Sequence, residues 1–171
     1  MRRLLAALLA AAAVGLAAVA AWLYMDLSRI QGGVAAGREA MTAARSYAAD
    51  MLSYDYRTMG EDLARARSHT TGALSERYAR LAATLPRLAR QRQEVRQAVV
   101  AAAAIESATA EEARILVFLN TVTSGRETGQ DRPSQEVGQS RLRLVMTREN
   151  GRWLVSDLST LLGDTPVPQA P

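Results

Sequence analysis

Asp55 stands between Tyr54 and Tyr56, and a carboxylate flanked by two phenols is the arrangement in this chain closest to an acid–base pair. A tyrosine hydroxyl opposite a carboxylate base is one arrangement by which an active site moves protons. The competing reading is structural: Tyr54 plugs a core while Asp55 accepts from nearby backbone N–H groups, as short aspartate side chains commonly do. Asp157 follows Trp153 and Val155 at two-residue spacing, so on a strand the three would share a face and Asp157 would point inward. Its plainer reading is an aspartate that closes the strand or pairs with an arginine. His69, the sole histidine, lies in the polar string 68–71, where an exposed position at a helix end is expected.

No second polar group has a spacing that ties it to any of these residues. One histidine, no cysteine and scattered carboxylates supply no metal-ligand set, and no glycine-rich phosphate loop is present. The expectation is therefore a domain without catalytic, cofactor-binding or metal residues, in which Tyr54, Asp55, Tyr56, Trp153 and Asp157 are candidate pocket or partner-binding residues. Disulfides are excluded as well, so an exported domain would be held by its core alone.

The formal charge is +4 over 171 residues, and every basic residue is an arginine. Six of them, Arg77, Arg80, Arg87, Arg90, Arg92 and Arg96, are answered nearby mainly by Glu76 and Glu94. Arg80, Arg87 and Arg90 are the candidate basic surface, for lipid headgroups or a docking partner. A solvated helix face is the ordinary explanation of such a run. Nucleic acid would call for stacking aromatics among the arginines, and these are missing.

The elements that must position these groups begin with Leu4 to Met25, an apolar run behind Arg2 and Arg3. As a helix it is long enough to cross a hydrocarbon core of roughly 30 Å. Asp26 is the first charge after it, so the positive-inside bias places the N-terminus in the cytoplasm and the remainder outside. A cleaved signal peptide with a site in Ala18-Val19-Ala20 is the competitor, but signal cores run only about 7 to 15 residues. Here the run continues through Trp22 and Tyr24, residues that settle at membrane interfaces. Ala13, Gly15, Ala17 and Ala18 would also let two such helices approach closely, as in a homo-oligomer.

Residues 26–37, with Gly32 and Gly33, are expected to interrupt the helix as a juncture. A domain over 38–162 follows, and a proline-rich tail over 163–171 is expected to be disordered. Within the domain, helical periodicity marks 38–53, and Thr58 with Glu61 suggests a capping box opening a short helix. The stripe Leu74, Tyr78, Leu81, Ala82, Leu85 and Leu88 marks a third helix, with a kink or break expected at Pro86. Val95–Ser107, Ala113–Thr123, Arg141–Thr147 and Trp153–Leu158 read as strands, the last two joined by a hairpin at Asn150-Gly151. Ser124–Gln139 is expected to be a long mobile connection. Three helices and four antiparallel strands make an α+β fold in which a curled sheet packs on the helices.

The runs Ala43-Ala44-Arg45, Ser53-Tyr54-Asp55-Tyr56-Arg57-Thr58, Asp62-Leu63-Ala64-Arg65-Ala66-Arg67 and Gly151-Arg152-Trp153-Leu154-Val155-Ser156-Asp157-Leu158 resemble the Mce-associated membrane proteins of actinobacteria. That resemblance implies a single-pass protein of the cytoplasmic membrane with an outer domain similar to the NTF2-like cone of VirB8-type secretion components. It further implies a non-enzymatic accessory of an Mce lipid or sterol transporter, with transporter subunits or other envelope membrane proteins as partners and no cofactor. A lipid carrier in the same system, a VirB8-like secretion component and an isomerase- or dehydratase-type enzyme are the alternatives, since one fold hosts all of them.

Overall fold

The computed structural model describes residues 2–126 and 132–160, with side chains for all of these except 2–14 and 26–31. Three helices, α1 (Arg2–Leu52), α2 (Met59–Ser68) and α3 (Gly72–Arg92), accompany one antiparallel sheet. Its strands, β1 (Tyr54–Asp55), β2 (Val95–Ala108), β3 (Glu112–Arg126), β4 (Pro133–Glu149) and β5 (Arg152–Thr160), follow one another in sequence order. The α+β layout is as expected, with β1 as a fifth, two-residue strand. The tail over 163–171 lies outside the described residues.

The core forms where α1 lies on the inner face of the sheet. Ala36, Ala40, Ala44 and Ala48 recur every fourth residue and are at most 4% exposed, so one stripe of α1 carries nothing larger than a methyl group. The sheet supplies the bulk in return: Ile115, Val117, Leu144, Met146 and Val155 are all fully buried. Small residues on one side leave room for large ones on the other, as close packing of a core requires.

That close approach explains a departure from expectation. Gly32 and Gly33 do not interrupt the helix: α1 is continuous from Arg2 to Leu52. A Cβ on Gly33 would lie 2.9 Å from the Ala108 carbonyl oxygen, and one on Gly37 2.9 Å from the Ala108 Cβ. The glycines let the end of β2 touch the helix rather than letting the chain bend. Among the described residues no helix is long and apolar enough to cross a membrane. The apolar run begins among residues whose side chains lie outside that description, and its described large members, from Leu16 to Met25, are between 55% and 74% exposed.

Two other expectations are corrected, and of the kink or break expected at Pro86 the break does not occur. Pro86 sits inside α3 without ending it; it removes one hydrogen bond to the preceding turn, and packing of Leu85 and Ala89 against the core carries the helix past it. Most of the stretch 124–139 is strand, because β3 and β4 stay in register out to Arg126 opposite Pro133. Thr58 caps α2 with its carbonyl, accepting from the N–H groups of Glu61 and Asp62, while its hydroxyl donates to the Asp62 carboxylate at 2.9 Å. No capping box forms. The β4–β5 hairpin does form as expected, with Asn150 and Gly151 at φ 50° and 77°, the left-handed pair a tight turn of this type needs.

Candidate functional site

The five candidate pocket residues lie at opposite edges of the sheet. Tyr54 and Asp55 are β1, paired with Arg96 and Val95 of β2, whereas Trp153 and Asp157 belong to β5. Four inter-strand steps of about 4.8 Å separate them along the sheet.

At the first edge each group is already committed. Asp55 accepts from the Arg57 backbone N–H at 2.9 Å and from its guanidinium at 2.8 to 3.1 Å. Those bonds hold its carboxyl below the usual range, so the group is a surface anion. Tyr54 donates to the Glu94 carboxylate, and burial followed by that bond pushes its hydroxyl well above the ordinary value. Tyr56 packs its ring against the core beneath the Arg57 guanidinium, 5.4 Å from the ring centroid. The structural reading of this segment therefore describes it: Tyr54 and Tyr56 pack inward while Asp55 organises its own turn. A polar cleft of about 300 Å³ opens beside it, lined by Asp50, Tyr54, Asp62, Arg65 and Arg96 among others.

At the second edge a bulge overturns the inward placement of Asp157. Val145 pairs with Asp157 but Met146 pairs with Val155, so Ser156 is an extra residue and strand parity reverses across it. Asp157 faces outward and exposed, Leu158 packs inward instead, and Trp153 and Val155 remain buried. The Arg148 guanidinium covers the Trp153 ring at 5.6 Å.

His69 is half-buried rather than exposed. It caps the C-terminus of α2, stacks on Tyr47 of α1 at 4.2 Å and places Nε2 3.1 Å from Asp50. Its backbone carbonyl accepts from the Val155 N–H at 2.8 Å, and the Thr71 N–H returns a bond to the Val155 carbonyl. The turn between α2 and α3 thus closes the β5 edge, and His69 is part of that joint. Arg80, Arg87 and Arg90 stand exposed on α3, with Arg80 reaching Glu76 at 3.9 Å.

Glu94 and Asp50 were missed by sequence reasoning. Glu94 meets Tyr54 across 40 residues of chain and Asp50 meets His69 across 19, and no local spacing announces either pairing. The inner face of the sheet packs into one core with the alanines of α1.

The chain belongs to the Rv1363c/MT1408-like family. The match to that family, described as "Uncharacterized protein Rv1363c/MT1408-like", covers residues 2–160. A Mycobacterium tuberculosis relative named outer membrane protein Rv1973 is 34% identical over 135 residues, 77% of this chain and 80% of its own length. A second from the same organism, Rv1362c, is 28% identical over 138 residues, 79% of this chain and 61% of its own. Among solved structures, an NTF2-like protein involved in plasmid conjugation matches with a TM-score of 0.52 at 12% identity, over 75% of this chain and half of its own length. CagV, a VirB8 homologue of a type IV secretion system from Helicobacter pylori, matches with 0.52 at 10% identity, over 70% and 94%. At such identities the likeness is one of fold, and the fold of this family member is NTF2-like and VirB8-like.

Proposed function

We propose that this family member is a membrane-anchored accessory protein without catalytic activity, whose NTF2-like domain stands outside the cytoplasmic membrane and organises or stabilises an Mce-type lipid or sterol transport complex. The observation that carries the reading is the continuity of α1: the helix whose alanine stripe nucleates the core also bears the apolar run. Six large apolar side chains between Leu16 and Met25 stand more than half exposed, which water penalises at about 25 cal/mol per Å² and lipid does not. An anchor rigidly joined to the domain confines it to a layer at the membrane, where weak contacts gain from raised local concentration. The relative called an outer membrane protein and the secretion-system fold support an envelope setting. The transporter itself comes from the sequence resemblance.

The chain has no cysteine, so single cysteines introduced at exposed Ser134 and Arg152 report topology cleanly. In intact cells a membrane-impermeant maleimide should label both, and alkaline carbonate should leave the protein in the membrane fraction. Crosslinking in the native envelope should recover Mce subunits. Labelling only after lysis, or a deletion strain with normal lipid uptake and no Mce subunits crosslinked, would overturn the proposal.

A further inference from the structure

The outward sides of α2 and α3 enclose an open cleft of about 440 Å³. The buried Leu63 and Tyr78 lie at its floor, Gly60 and Ala64 on α2 and Ala79 and Ala82 on α3 are too small to close it, and Arg67, Ser68 and Ser75 line its other end. α2 has 10 residues and α3 has 21, so α3 runs on for about 15 Å beyond its neighbour. Arg87 and Arg90 stand on that extension, exposed and without an ion pair among the described residues. Over its whole length α3 carries five arginines against Glu76 alone.

These arginines are badly placed for the bilayer that α1 would enter. Gly33 of α1 lies against Ala108 at one end of β2, while the Arg92 carbonyl of α3 lies 3.1 Å from the Cβ position of Gly125, beside Glu94 at the other end. β2 spans 14 residues, about 45 Å. The basic end of α3 is therefore the end of the domain remote from the point where α1 leaves it, where another protein is in reach and headgroups are not.

We propose that the α2–α3 cleft docks an acidic amphipathic helix of a partner envelope protein, its apolar stripe seated over Leu63 and Tyr78 and its carboxylates on Arg87 and Arg90. A helix brings its backbone hydrogen bonds already made, so a groove of mixed apolar and polar lining between two helices, with arginines beyond one end, selects it over extended chain. The proposal rests on the reading of the domain as a partner-binding module and says where on it one partner sits.

The test uses the full chain in phosphatidylcholine nanodiscs and a fluorescent synthetic helix of about five turns with a leucine-alanine stripe and glutamates elsewhere. The control is the same peptide with lysine for glutamate. The acidic peptide should bind saturably and at least about tenfold more tightly than the lysine peptide. Arg87→Glu with Arg90→Glu should weaken it by about tenfold, and so should Ala64→Phe, which fills the cleft from an exposed position without changing charge. Unchanged thermal midpoints would show that both variants are folded. No binding up to roughly 1 mM peptide, equal binding of both peptides, or indifference to Ala64→Phe would overturn the docking site. So would tight, Arg87-dependent binding to phosphatidylglycerol vesicles in place of the peptide, which would assign the arginines to lipid. None of those outcomes bears on the topology and crosslinking results, so the two proposals fail separately.

Discussion

The inner face of the sheet and the outer side of α2 and α3 use the same small residue to opposite ends. On α1, Ala40, Ala44 and Ala48 share one buried core with Ile115, Leu144 and Met146 of the sheet, and none of the six is exposed. On α2 and α3, Gly60, Ala64, Ala79 and Ala82 line a cleft that stays open. A small side chain makes a tight contact only where the opposing element brings volume. Where none does, it leaves a place to be filled from outside. The inner face is therefore the structural half of the molecule, and the helical surface holds the chemistry still free to be used.

Removing the volume should have the largest effect. Leu144→Ala deletes a fully buried side chain from the core that the α1 alanines share, and about 3 to 4 kcal/mol of stability should be lost, read as a lower urea midpoint at unchanged slope. Adding volume on the other side tests the same contact from the helix. Ala44→Leu forces three extra carbons into a site with no exposure and should cost about 2 kcal/mol through displaced neighbours. If Ala44→Leu were neutral, the inner face would hold room for a ligand, and the carrier alternative would gain what the accessory reading lost.

Acid sharpens the comparison by acting on the outside alone. Asp55 is held down by Arg57, and Glu106 by Arg143 at 2.7 and 2.8 Å, and both carboxylates lie at the surface. A depressed folded value means that the stabilisation is present above the ordinary carboxylate range, whose reference values are 3.8 and 4.5, and is lost as pH falls through the lower folded value. Stability should thus fall below about pH 4, by less than either core substitution, and Asp55→Asn with Glu106→Gln should flatten that fall. A profile unchanged in the double variant would place the acid sensitivity elsewhere.

What was legible in the sequence was local. The α3 stripe and the Asn150-Gly151 turn depend on residues a few positions apart: the turn is where its spacing put it, and the stripe packs inward at Leu74, Tyr78, Leu81 and Leu85, while Ala82 and Leu88 stand exposed and Ala89 is buried in their place. Gly33 was misread, and Pro86 and Asp157 were left with two readings each, for one shared reason, that contacts distant in sequence set their roles. Gly33 answers Ala108 of β2, Pro86 is carried by packing on either side of it, and Asp157 is turned outward by a bulge opposite β4. Tyr54 with Asp55, and Trp153 with Asp157, stood as separate candidates in the sequence, and only the sheet order shows that they lie at opposite edges. The arginine row needed no tertiary information to be found, but its position at the far end of the domain from the departing α1 did.

The smallest effect should carry the opposite sign. A Cβ built on Gly60 meets no atom within 4 Å, and the residue is helical, so Gly60→Ala places a methyl group in open space while removing the backbone freedom that glycine has when unfolded. Stability should rise by about 0.5 kcal/mol, measured as a higher thermal midpoint. The same methyl group enters the cleft wall, so affinity for an acidic helix should fall slightly or stay level even as the fold gains. Stability and docking moving in different directions at one residue is what a surface kept open for a partner predicts. At Ala44, where the contact is already complete, added volume has only stability to change.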